Sequence, residues 1–288
     1  MSLYLNLRYG AVGGGLRADP YLIEGDGKVA RPAMKSLAHA EAARRVAGRT
    51  VVFAIHGFNV SYDSGLRSLG RLEAALIAAA LPENFLVIGV LWPGDFLIPA
   101  INYPGEWRDA VKGGQALARF ANTTLNTAAA FCFLSHSLGG RLALEAVAGL
   151  DRKAVRVCLT APATDNDCLE DPYDVSVANS EQLTYLASMK DMVLRLAYPV
   201  GDWAGDIFMG DGDSALRGAL GRHGAKWPRT RSPKALGYTV ADRPAYGHGS
   251  YFPPGAANQA SAASHGDVAK FAVSFLKGES PAWTPVRS

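Results

Sequence analysis

Ser137 is the residue best placed in this sequence to act as a nucleophile. It stands in Ser135-His136-Ser137-Leu138-Gly139-Gly140, after the apolar run 128–134 (AAAFCFL) and before a stretch of helical spacing. A serine on a strand-to-helix turn, with small residues two before and two after it, has the context of a nucleophile elbow. Those small residues are Ser135 and Gly139. A serine hydroxyl is a weak nucleophile and needs a base, and the base needs a group that orients it. One known chain order for such a triad is serine, then acid, then histidine. The candidate base is His248, in Tyr246-Gly247-His248-Gly249-Ser250, with His265 as the alternative. His223 comes too early and sits in a basic stretch. The candidate acid is Asp202, which follows the apolar run 192–200 (MVLRLAYPV). Asp206, Asp211 and Asp213 in the same segment remain alternatives.

A second constellation is His56-Gly57-Phe58-Asn59, at the end of the apolar run 50–55 (TVVFAI). Acyl transfer through a serine builds a tetrahedral oxyanion, which backbone N–H groups can hold. Losing one such donor costs about 10²–10³ in rate. The candidate donors are the N–H groups of Phe58 and Leu138. His56 is expected to organise its loop rather than move protons. Aromatic residues follow the run 85–92 (FLVIGVLW). Of these, Trp92, Phe96 and Tyr103, with Leu97, Ile98 and Trp107, are candidates to wall an apolar pocket, or else to cover the core. Trp203 invites the same two readings.

These residues need a frame that gathers positions 56 to 248. The apolar runs 50–55, 85–92, 128–134, 155–160 and 192–200 read as parallel strands buried on both faces. A last strand is expected over 235–240. Between them lie helical patterns over 64–80, 109–125, 138–149 and 268–276. Strands alternating with helices predict βαβ units, hence an α/β fold with a mostly parallel sheet. The start, LYLNLRY, is expected as an antiparallel edge strand, and 33–46 looks helical. One domain over 1–288 is expected, with an insertion or partial lid at about 201–234.

Composition narrows the classes. The chain has 288 residues, a net charge of +3 and 49% hydrophobic residues, with a mean hydropathy of +0.04. A globular chain with a sizeable core follows, and the weak net charge does not point to nucleic acid. The basic excess is located: Arg217, Arg222, Lys226, Arg229, Arg231 and Lys234 lie between 214 and 241 with no acidic residue among them. The reading is a solvated basic loop. The three cysteines form no disulfide framework and no zinc spacing. The beginning does not read as a signal peptide, and no run approaches the ~18 apolar residues of a membrane span. A cytoplasmic protein is expected.

The motifs IHGFN at 55–59, LWPGD at 91–95, SHSLGG at 135–140 and LTAPATDND at 159–167 resemble a bacterial family of α/β-hydrolases of unknown function. The resemblance runs from about Arg49 to Lys277. It implies the α/β-hydrolase fold, with helices on both faces of the sheet. It also implies a serine hydrolase acting on small-molecule carboxylic esters through Ser137, with no cofactor. Thioester hydrolysis and acyl transfer are the alternatives within that class. A non-catalytic binding module on the same scaffold is the alternative outside it.

Overall fold

A strand whose two faces are both covered must be apolar at every position, and 51–55 meets that condition: each of these residues is fully buried. The computed structural model describes residues 2–10, 15–27, 34–94, 103–196, 218–226, 234–240 and 246–283, and the side chains of 103–107 and 196 lie outside the described set. The chain begins with β1 (Ser2–Arg8), β2 (Leu16–Gly25) and the short β3 (Lys35–Ser36), followed by α1 (His39–Val46). It continues through β4 (Thr50–Ile55), α2 (Tyr62–Ala78), β5 (Phe85–Leu91), α3 (Tyr103–Thr123), β6 (Ala130–His136) and α4 (Gly139–Ala148). Then come β7 (Ala154–Thr160), α5 (Asp174–Ala178), β8 (Ser180–Ala187), α6 (Met192–Leu196) and α7 (Leu220–His223). The last elements are β9 (Ala235–Thr239), a 3-10 turn (His248–Ser250) and α8 (Ala263–Leu276).

The strands form one sheet in the order β3-β2-β1-β5-β4-β6-β7-β8-β9. The pairs β1–β2 and β2–β3 are antiparallel, and every pair from β1–β5 to β8–β9 is parallel. Helices α3 and α4 pack on each other, while α2 and α8 pair on the opposite face. The core of the sheet includes Phe53 set between Phe131 and Phe133, with ring centroids 5.6 and 5.3 Å away.

The order places the site. From β4 the chain crosses to β5 on one side, then returns to β6 on the other side of β4. Ligands in open α/β sheets bind at such a reversal, outside the carboxyl ends of the strands. Here the register pairs Ile55 with Ser135, so β4 and β6 end level and their following loops, His56-Gly57 and Ser137, start side by side.

Three expectations need revision. The opening strand is interior, not an edge: β1 pairs with β2 on one side and with β5 on the other. Its residues are buried throughout, which an edge strand would not require. The segment expected to be helical from 33 contains β3, and the helix starts at His39. The run at 192–200 begins not as a strand but as helix α6, and the strand of that part of the sheet is β8, upstream of it. Residues 197–200 lie outside the described set.

Of the stretch 201–234 expected as an insertion or lid, mainly 218–226 is described. That piece is built into the frame. Leu220 is buried, its N–H bonds to the carbonyl of Thr164 at 2.8 Å, and the Gly221 N–H bonds to Pro162 at 2.9 Å. Among the described residues, no helix is long and apolar enough to cross a membrane.

Candidate active site

The elbow is local geometry first. Ser137 has φ 55, the left-handed region that a non-glycine residue occupies at a cost of roughly 1–3 kcal/mol unless its surroundings hold it there. They do. The Ser137 N–H bonds to the Thr160 carbonyl on β7 at 3.0 Å. Its own carbonyl accepts from Gly140 at 2.9 Å and Ala163 at 3.1 Å. Gly139 is required by proximity: a Cβ there would fall 2.4 Å from the His56 carbonyl oxygen. The glycine thus lets α4 begin against the end of β4.

The candidate base is brought in by the segment after β9. His248 Nε2 lies 2.9 Å from Ser137 Oγ, and His248 Nδ1 lies 2.7 Å from Asp191 Oδ2. A carboxylate only accepts, so Nδ1 carries the hydrogen and Nε2 presents its lone pair to the serine hydroxyl. The His248 side chain is 16% exposed and that of Asp191 is 0% exposed. His265, the alternative base, has both ring nitrogens committed elsewhere. Its Nε2–H donates to the Gly249 carbonyl at 2.9 Å, and its Nδ1 accepts from the Ala262 N–H at 2.9 Å.

The carboxylate that meets His248 is that of Asp191, which the sequence reading did not include. Asp202, Asp206, Asp211 and Asp213 lie outside the described residues. Asp191 follows β8 by a short turn and caps α6: its Oδ1 accepts from the Leu194 N–H at 2.9 Å. That leaves Oδ2 for the histidine. Taking the run 192–200 as a strand moved the expected acid past its end, to Asp202. The available signal was an N-cap, since an aspartate immediately before an apolar helical turn is a preferred helix start. Arg222, one of the cations of the basic stretch, braces this turn by donating to the Asp191 carbonyl at 2.8 Å.

The His56-Gly57-Phe58-Asn59 loop lies against the elbow. A Cβ on Gly57 would sit 2.8 Å from the Ser137 Cβ, so only a glycine allows the approach. His56 organises this loop, as expected. Its Nδ1–H donates to the Gly57 carbonyl at 2.8 Å, and its ring stacks on Trp92 with centroids 5.7 Å apart. The Asn59 N–H bonds to the Gly94 carbonyl, tying the loop to the segment after β5. Leu138, the other expected N–H donor, is the buried residue between Ser137 and α4.

Trp92 does not wall a pocket. Its indole is fully buried beside His56, and its Nε1–H donates to the His56 carbonyl at 2.9 Å. The ring found its polar partner in the interior, which is why it turns inward. Phe96 and Trp203, with Leu97 and Ile98, lie outside the described residues. Tyr103 opens α3, but its side chain and that of Trp107 are likewise outside them. Among the described residues no cluster of metal-ligating side chains occurs.

Two histidines make a pH prediction. Burial, reinforced by the Arg8 charge, pushes His56 from the ordinary 6.5 down to about 4. His136, which keeps a partly exposed edge, is pushed down to about 3, by burial first and then by the charge of His248. Both rings are neutral in the folded chain and take up protons in the unfolded chain below about pH 6.5. Stability is therefore full above that pH and falls as the pH drops toward 4 and then 3. At pH 5 the expected loss is about 2 kcal/mol from His56 and up to as much again from His136. Urea unfolding at pH 7.5 and pH 5 measures it, and an unchanged midpoint would exclude the buried neutral pair.

Comparison with known proteins gives three findings. The model of a family described as alpha/beta hydrolase of unknown function (DUF900) matches residues 35–205. Among solved structures, the chain is similar to phospholipase PlaB from Legionella pneumophila, with 14% identity over 50% of this chain and 40% of that one, at a TM-score of 0.31. It is also similar to esterase B from Lactobacillus rhamnosis in a C6-C4 SN3 inhibited form, with 11% identity over 86% of this chain and 79% of that one, at a TM-score of 0.36. The chain thus spans about two fifths of the length of the phospholipase. No curated protein matches it.

Proposed function

The chain belongs to the family of α/β-hydrolases of unknown function, whose match takes in more than half of it, and within that family we propose a serine hydrolase that cleaves carboxylic esters through an acyl-enzyme on Ser137. One observation carries the reading: the continuous chain from Ser137 Oγ to His248 to the buried Asp191, at 2.9 and 2.7 Å. These are hydrogen-bond distances in the order that nucleophile, base and orienter require.

The proposed sequence of steps follows from the tautomer. Ser137 Oγ attacks the ester carbonyl carbon as His248 Nε2 takes the hydroxyl proton. The negative charge moves to the carbonyl oxygen, where the N–H groups of Phe58 and Leu138 stabilise it. Asp191 holds the imidazole in register and stabilises the imidazolium. The intermediate collapses, the C–O bond to the alcohol breaks, and His248 gives its proton to the leaving oxygen. Water then attacks the acyl-enzyme with the same histidine as base. The acid is released and Ser137 regains its proton.

A fluorophosphonate probe tests this. Folded protein is expected to take up one probe, and peptide mapping is expected to place it on Ser137. p-Nitrophenyl esters of rising acyl length, run beside a thioester, then read the substrate class. Absence of labelling on folded protein would sink the enzyme reading and favour a binding module on the same scaffold. Labelling with turnover of the thioester alone would replace the ester by a thioester.

A further inference from the structure

The residue proposed as general base sits between two glycines that add no side-chain packing, although Tyr246, Tyr251 and Phe252 on either side are buried. His248 lies in a three-residue 3-10 turn between Gly247 and Gly249, and a Cβ added at either glycine would meet nothing within 4 Å. Glycine-flanked backbone is conformationally permissive. Catalysis nevertheless needs the imidazole held closely, since a misplacement of about 1 Å can cost roughly 10² in rate. Something other than close packing at these glycines must hold this turn.

Its backbone carbonyls identify the restraints. The carbonyl of His248 accepts from His136 Nε2–H at 2.9 Å, and that of Gly249 accepts from His265 Nε2–H at 2.9 Å. Just upstream, the Tyr246 carbonyl accepts from Ser188 Oγ at 2.7 Å. His136 immediately precedes Ser137 in sequence, and Ser188 stands in the turn that ends at Asp191. The turn that bears the base is thus tied to the carriers of the nucleophile and of the acid. His265 adds an anchor on α8, where its own ring is fixed by the Ala262 N–H.

We propose that His136 and His265 are positioning residues for the base, each donating its Nε2–H to one of two consecutive carbonyls so that the His248 imidazole stays between Ser137 and Asp191. The assignment rests on the reading of Ser137 and His248 given above. Histidine suits the task because a carbonyl requires a donor, while His248 must become an imidazolium during the reaction. The His136 ring lies 4.7 Å from the His248 ring, centroid to centroid. A lysine or arginine donor there would put a permanent like charge against that imidazolium. A neutral imidazole supplies the hydrogen bond without the charge.

The test compares His136→Phe, His265→Phe and His136→Gln with the parent. The readouts are the rate constant of fluorophosphonate labelling at Ser137 and the KM and kcat for a p-nitrophenyl ester. Phenylalanine keeps a ring and removes the donor. Glutamine restores an N–H donor at similar reach. Both phenylalanine variants are expected to label about 10- to 100-fold more slowly, with kcat reduced to match and KM nearly unchanged. His136→Gln is expected within about threefold of the parent. The labelling rate constant is read on the fraction that labels, so partial unfolding lowers the amplitude and leaves the comparison intact. Phenylalanine variants that label at the parent rate overturn the proposal, as does a glutamine variant as slow as phenylalanine. A parent that does not label at all instead overturns the hydrolase reading, and the positioning role with it.

Discussion

His248→Ala lowers kcat by about 10⁶, the loss expected when the base of a serine–histidine pair is removed. Ser137 then loses the acceptor of its proton: among the described residues, the ring nitrogen at hydrogen-bond distance from its hydroxyl is His248 Nε2, at 2.9 Å. His265→Ala is the informative companion. His265 spends both nitrogens on the backbone of Gly249 and Ala262, so its loss is expected to cost only the roughly 10- to 100-fold of a loosened turn. Steady-state turnover of a p-nitrophenyl ester separates the two variants. A His248→Ala protein as active as the parent would remove His248 as base.

Asp191→Asn is the second large effect, and the direction of its hydrogen bonds explains it. Asp191 Oδ1 accepts the Leu194 N–H at 2.9 Å, while Oδ2 receives His248 Nδ1–H at 2.7 Å. In asparagine, the oxygen is retained by the Leu194 N–H, because only an oxygen accepts there. The amide nitrogen then faces His248. A donor now meets Nδ1, which favours the tautomer with its hydrogen on Nε2, the nitrogen that must accept from Ser137. The expected loss in kcat is about 10⁴, as for other triads given the wrong tautomer. The cap on α6 survives, so the urea midpoint is expected to stay near that of the parent. Asp202→Asn, made in parallel, is expected to keep a kcat near that of the parent. Asp191→Asn with more than a tenth of the parent kcat would contradict the assignment.

The contrast between these two aspartates marks where sequence reading reached its limit. The elbow and the His56-Gly57-Phe58-Asn59 loop were legible because each is local: an apolar strand, small residues at the turn, and a helix behind it. His248 was legible as the preferred of two histidines beyond the last strand, with His265 left as the alternative. Asp191 was not, because β8 does not look like a buried parallel strand. It opens with Ser180, Glu181 and Gln182, and the latter two are exposed. The apolar residues 192–200 looked more like a strand, although their beginning is a helix capped by the acid itself. Trp92 shows the same limit on the other side of the site. An aromatic ring just beyond a strand end resembles a pocket wall until the carbonyl that its N–H reaches is known.

By itself, then, the sequence determined the class of fold, the nucleophile candidate, the loop beside it and a pair of candidate histidines, His248 and His265. Those follow from patterns within a few residues: strand period, turn chemistry and helix start. Tertiary structure decided which carboxylate meets that histidine, which histidine faces the serine, and which aromatic ring turns inward. Each of those depends on groups far apart in the chain. Asp191 and His248 are 57 residues apart, and Ser137 and His248 are 111 apart. Only the strand order and register bring such groups to hydrogen-bond distance, and no local pattern encodes that meeting.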